Sequence, residues 1–274
     1  MIEVRPIRGQ NEPDFAIITY SLPTTEDFDL IRARRHPVHV LRMPDGWSSL
    51  DFLDPVIDVI PKLIVTDYSC TDARAVARMT GLHSLSFSSV DLKSSVEIAG
   101  LPELRRYSGP WKRVESLAEC TDLTQVGLYG FPPGVVSTIE SPLEALTLVQ
   151  AGTSGELPVI RNPSRLRDLR VALAKSLDLS TLISYPALRV IELESCRAIS
   201  HPDALLGLPH LTDLTLGACR NIEGWTALDS LTSVRVRVWG SNPFDLEFRE
   251  AVADAGNWSF PPGKGYLPPP RDSE

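Results

Sequence analysis

The side chains able to do chemistry are sparse in this 274-residue chain, and their spacing is what must be tested first. Asp168, Glu192, Glu194 and Asp213 recur at intervals that place them on neighbouring segments. Paired carboxylates can do general acid–base work, and clustered carboxylates can receive Arg or Lys from a partner. His36, His39, His83, His201 and His210 are too scattered for a metal-ligand set, and the close pair His36 and His39 lacks a third ligand at a readable distance. Cys70, Cys120, Cys196 and Cys219 show no CxxC spacing, so reduced thiols are expected. The sequence contains no P-loop, GxSxG elbow, HExxH, or GxGxxG after a strand. The expectation is therefore a non-catalytic chain with no cofactor and no metal. Asp168 with Glu192 or Glu194 is the only carboxylate grouping that could be offered for catalysis.

These residues sit on a recurring apolar frame. The spacing LxxLxL returns with anchors at Val38, Ile60, Leu82, Leu104, Leu123, Leu143, Leu166, Leu188, Leu211 and Leu231, at intervals of 19 to 23 residues. Around Leu211 the residues Leu211, Leu214 and Leu216 alternate with Asp213 and Thr215, a period of two that suits a strand with one buried face. Stacked in parallel about 4.8 Å apart, such strands convert separate triplets into continuous ladders of Leu, Ile and Val.

After Leu188 and Leu211 the triplet is extended by Cys196 and Ile199, and by Cys219 and Ile222, giving LxxLxLxx(N/C)xxI. This pattern resembles the leucine-rich repeat family, in its short, irregular, bacterial-type class of about 22 residues, over residues 38 to 240. The resemblance implies an α/β solenoid with a parallel concave sheet of about ten strands, short irregular or helical convex segments, and caps at both ends. Tyr68, Val90, Phe131 and Ala174 replace the family's Asn or Cys at the ninth position, so the ladder bridging the turns should be broken there. The repeat at Leu104 departs most, with Tyr107 and Gly109 in the second and third apolar places. Cys196 and Cys219 should occupy equivalent places in adjacent coils as buried free thiols, with a disulfide left open.

The expected organisation is an N-terminal cap over 1–37, repeats over 38–240, a C-terminal cap over 241–260, and an extended or disordered tail over 261–274. Within the caps, strands are expected at Ile2 to Ile7 and Phe15 to Leu22, a short helix from Thr25 to Ile31, and an amphipathic helix from about Phe244 to Ala255. Among the returns, Thr71 to Ala77 reads as the most helical, and Pro-containing returns such as Phe131 to Gly134 read as extended or tightly turned.

Outward positions of each strand define the binding face. The first repeat offers Val40, Arg42 and Pro44; Lys62 and Arg106 follow, with small residues in the middle. Tyr129 is a candidate aromatic anchor there, and Trp111 either anchors outward or packs inward. Arg170, Glu192, Glu194, Asp213 and Arg235 stand toward the C-terminal side. The carboxylates suit a basic partner, and plain cross-strand pairing with Arg170 and Arg235 accounts for the same residues more simply.

A net charge of −8, spread evenly along the chain, argues against nucleic acid and favours a basic protein. The N-terminus lacks a secretory pattern and no run approaches a membrane span, so a cytosolic location without membrane contact is expected. The resulting expectation is a protein-binding module, in its sharpest form an inhibitor or immunity-type neutraliser of a basic partner. It is expected as a monomer, with a homodimer left open. The alternatives are an oligomerisation scaffold or, less favoured, a small-molecule or enzymatic protein with its site in the concave trough.

Overall fold

A computed structural model describes residues 3–5, 15–88, 90–130, 138–150, 157–240, 249, 252 and 256–259. It is an α/β fold with few helices and a large parallel sheet. The chain divides into two compact units, residues 1–129 with 139–141, and residues 130–138 with 142–274.

In the first unit β1 (Glu3–Arg5) runs antiparallel to β2 (Phe15–Ile18). From β2 onward every strand is parallel to the one before: β3 (Val38–Val40), β4 (Lys62–Val65), β5 (Ser84–Phe87), β6 (Arg106–Pro110) and β7 (Gln125–Tyr129). In β4 the expected alternation is clear, with Leu63 and Val65 buried and Lys62 and Ile64 half-buried. Helix α1 (Thr25–Arg34) connects β2 to β3. The Thr24 hydroxyl accepts the Asp27 N–H at 3.2 Å and the Asp27 carboxylate accepts the Thr24 N–H at 2.9 Å, a reciprocal cap that starts the helix.

β8 (Thr138–Ile139) falls where the two units meet in sequence. In the second unit β9 (Ala145–Val149), β10 (Val159–Ile160) and β11 (Asp168–Ala172) are followed by β12 (Leu177–Asp178), β13 (Val190–Glu194) and β14 (Ala198–Ser200). β15 (Asp213–Gly217), β16 (Asn221–Ile222), β17 (Arg235–Trp239) and β18 (Trp258–Ser259) complete it. β9, β11, β13, β15, β17 and β18 pair in parallel in that order, and β12, β14 and β16 form a separate three-stranded parallel sheet. Leu188, Ile191, Leu193, Leu214 and Leu216 are at most 2 % exposed between them. Short 3-10 turns such as Ser180–Ser184 and Pro202–Gly207 carry the chain back.

The first unit carries seven strands, β1 to β7, and the second six in its larger sheet, against the ten or so expected in all. β1, β2 and β18 are the strands beyond the apolar triplets. At the Leu104 repeat the expected phase holds, with Tyr107 opposite Leu85 and Gly109 opposite Leu128.

At the two ends the phase differs from expectation. Val38 lies opposite Leu63, where Ile60 was expected, a displacement of three. An odd displacement exchanges the faces of a strand. Val38 and Val40 are accordingly fully buried, Pro44 is buried, and Leu41, the expected second apolar residue, is 42 % exposed. At the other end Asp213 lies opposite Arg235, so Ser233 and not Leu231 is equivalent to Leu211. That displacement of two leaves Arg235 and Arg237 facing outward.

Residues 71–77 are also corrected. Thr71 and Asp72 donate their N–H groups to the Ser48 carbonyl at 2.9 and 3.0 Å, which holds them extended, and only a 3-10 turn over Arg74–Arg78 follows. The C-terminal helix is described at Arg249 and Val252 alone, both helical. Phe131 to Gly134 and the tail over 261–274 lie outside the described residues. Among the described residues no helix is long and apolar enough to cross a membrane.

Candidate functional site: the outward faces of the parallel sheet

Because every second side chain of a strand points away from the core, parallel pairing lines up outward residues in rows. In the second unit one row is Thr147, Arg170, Glu192, Thr215 and Arg237. A second is Val149, Ala172, Glu194, Gly217 and Trp239, and a third holds Asp168, Val190, Asp213 and Arg235.

Glu192, Glu194 and Asp213 are answered from within these rows. Arg170 places Nη2 2.7 Å from Glu194 Oε2 and Nε 3.7 Å from Glu192 Oε2. Asp213 Oδ1 is 3.1 Å from Arg235 Nη1 and 3.7 Å from Arg237 Nη2. All these groups are a quarter or more exposed, where one such pair contributes about 1 kcal/mol at most. The expected cross-strand pairing is present, as one cluster with a net charge of −1 and one with a net charge of +1. Beside them is a depression of about 310 Å³ lined by Thr147, Asp168, Arg170, Val190 and Glu192. Trp239 lies over Gly217, where a Cβ would strike its ring, so the indole is seated flat against the sheet. Trp239 was not among the residues expected on this face.

In the first unit the outward rows hold Lys62, Ser84, Arg106 and Gln125, and His39, Ile64, Ser86, Ser108 and Gly127. No strand from β2 to β7 carries a carboxylate. Arg106 is exposed, and the Lys62 ammonium lies 5.0 Å from the centroid of the Phe15 ring. Tyr129, half-buried, shares a 2.8 Å hydrogen bond between its hydroxyl and Ser108. Gly127 leaves room for Ser108, whose Oγ would be 2.7 Å from a Cβ there. Trp111 opens a 3-10 turn after β6 and is half-buried. His39 Nε2 is 3.1 Å from the Thr66 hydroxyl, and burial pushes its pKa down. Arg42 is not on the outward face of a strand: the phase of β3 carries it past the strand's end. There its guanidinium stands 3.8 Å from Asp67 Oδ1 and 5.9 Å from the Tyr68 ring centroid.

The turns that hold these strands use different chemistry in the two units. Cys196 donates weakly to the Val171 carbonyl at 3.7 Å and Cys219 to that of Leu193 at 3.4 Å, so each thiol ties its turn to the preceding strand. Both are free and buried, and contact with the Cys196 thiol together with burial pushes the Cys219 thiol far up. In the first unit Tyr68 is 66 % exposed and bridges nothing inside. Asp67, one residue earlier and 5 % exposed, does that work: it accepts the Met43 N–H at 2.7 Å and the Ser69 N–H at 3.0 Å. Burial raises its pKa, but those bonds and Arg42 outweigh it and leave the carboxyl below the ordinary range. Its place one residue ahead of the positions held by Cys196 and Cys219 was the available signal.

No known family model matches the chain, and no curated protein matches it in sequence. Among the described residues no three His, Cys, Asp or Glu side chains are grouped so as to hold a metal.

Proposed function

We propose that the chain is a leucine-rich repeat solenoid and a non-catalytic module that binds another protein on the outward sheet face of its second unit. The observation that carries this reading is the unbroken parallel register from β9 to β17, which presents three rows of mixed side chains on a rigid frame. Rigid presentation lowers the ordering cost of association. Trp239 is the aromatic anchor, and Arg170 and Arg235 with Glu192, Glu194 and Asp213 are the polar groups around it. A partner with basic residues exchanges its own cations for Arg170 and Arg235 on these carboxylates, which favours specificity and association rate over raw affinity. An inhibitor or immunity-type neutraliser of a basic protein is the form of the function most consistent with the net charge of −8.

Affinity capture from the native host, with wild type beside Glu192→Arg/Glu194→Arg, tests the reading. A partner retained by wild type should be lost by the variant, and its retention by wild type should weaken with salt. Equal capture by both proteins would remove this face from the function.

A second reading, self-association as a scaffold, is favoured by one observation. Ile183 and Leu206, 66 % and 46 % exposed, stand on the successive 3-10 turns Ser180–Ser184 and Pro202–Gly207. Sedimentation at micromolar concentration separates the two, since a dimer dissolved by Ile183→Asp would support the scaffold.

A further inference from the structure

The small sheet of β12, β14 and β16 borders a depression of about 600 Å³, larger than the one on the outward face of the main sheet and within the range of ligand sites. Its floor is built from small residues: Ser176, Ala198 and Ser200 present little bulk above the buried row of Leu177, Ile199 and Ile222. The row Asp178, Ser200 and Glu223 crosses one end. Asp178 lies opposite Ser200, and Glu223 follows directly after β16, two strands from β12, so parallel spacing sets their backbones about 9.6 Å apart with Ser200 on the strand between. Asp178 is tethered: its Oδ1 accepts the Ser180 N–H at 2.8 Å and lies 2.8 Å from His201 Nδ1. Glu223 is exposed and, unlike Glu192 and Glu194, has no ion-pair partner among the described residues. Trp225 borders the same end, and Arg220, also unpaired among the described residues, stands three residues of strand rise away, about 10 Å.

We propose that this trough binds an arginine side chain presented by a protein segment in which an acidic residue lies close by. A planar guanidinium with five donors can serve two carboxylates and a hydroxyl together and stack on an indole; a lysine ammonium offers a point charge and no plane. The aliphatic stem lies across Ala198. Arg220 repels a second base and donates to the neighbouring carboxylate, so a mixed Arg-Asp segment is preferred over an Arg-Arg one. The site differs from the outward face of the main sheet in one respect that matters. There the cations are already supplied by Arg170, Arg235 and Arg237; here Asp178 meets only the His201 imidazole and Glu223 has no ion-pair partner among the described residues.

Calorimetric titration with the capped peptide acetyl-Gly-Gly-Arg-Asp-Gly-amide tests this. The expected result is saturable binding with Kd below about 1 mM. Glu223→Gln should weaken it about tenfold, the loss of a charge-assisted hydrogen bond, and Ser200→Ala should weaken it less. Both sites are at least partly exposed at the surface, so neither variant threatens the fold. Glu192→Gln, on the other face, should leave binding unchanged. Replacing the peptide's Arg by Gln should abolish binding, and replacing its Asp by Arg should weaken it. Failure to saturate at millimolar peptide, or equal binding by wild type and Glu223→Gln, would overturn the proposal. Free arginine binding as tightly as the peptide would overturn the assignment to a protein segment. Because these readouts use a defined peptide, they are independent of whether Glu192→Arg/Glu194→Arg loses its captured protein.

Discussion

Tyr107 shows how a single side chain can be well placed and still cost stability. Its ring fills an apolar position of β6 at 2 % exposure, yet its hydroxyl has no hydrogen-bond partner among the described residues, and burial pushes its pKa far up. An unsatisfied buried hydroxyl costs on the order of 1–3 kcal/mol, so Tyr107→Phe should hold or raise stability by about 1 kcal/mol, read as an upward shift of the urea midpoint. Asp67 is the opposite case. Asp67→Ala strands the buried Met43 N–H, removes the acceptor of the Ser69 N–H and should cost about 2 kcal/mol in the same assay. The sign of its pH dependence follows from the direction of its shift. Asp67 and Asp72 both have depressed pKa values; that of Asp72, held chiefly by its hydrogen bond to Arg74, is about 2 against an ordinary 3.8. Their contributions are complete above the ordinary value and are lost as pH falls through the folded one. Stability should therefore decline between about pH 4 and pH 2, with a shallower decline in Asp67→Asn.

Among the elements, β3 tests whether phase or composition decides a strand. Val38, Val40, Leu41 and Met43 are all apolar, and both the LxxLxL phase and simple alternation fit them. Alternation wins because Val38 and Val40 can then meet Ala16 and Ile18 on one side and Leu63 and Val65 on the other, all inward. Val40→Asp should accordingly unfold the first unit or cost more than about 3 kcal/mol, while Leu41→Asp should stay within about 0.5 kcal/mol. Circular dichroism melts of the two variants decide it, and the reverse ranking would restore the original phase. In the centre of the chain composition and phase agree, so Leu193→Ala should lose about 2–5 kcal/mol by cavity formation.

Across the whole molecule the four thiols report on global opening. Cys70, Cys120, Cys196 and Cys219 are all buried and free, from both units. Burial and neighbouring carboxylates push Cys70 up to about 12 and Cys120 up to about 11, so neither offers a thiolate near neutral pH. A thiol-reactive dye should label none of them rapidly in the native protein and all four in denaturant. Rapid labelling of Cys196 or Cys219 in native conditions would show that the turns they tie open on their own.

The period and the inward face of β4 to β7 and of β9, β11, β13 and β15 were legible in the sequence, because a strand with one wet face must alternate and a leucine triplet admits only one phase; the short strands β8, β10, β12, β14 and β16 were not. Even the atypical repeat of Tyr107 and Gly109 obeyed it. The tertiary structure decided three other things. It set the phase at the ends, where β2 and β18 add neighbours that no triplet announces. It made Asp67, rather than Tyr68, the turn bridge, because only a buried acceptor could reach the Met43 and Ser69 N–H groups. It also paired Arg170 with Glu192 and Glu194 while leaving Glu223 and Arg220 open, since charge pairing depends on distances across strands that lie 22 or 23 residues apart in the chain.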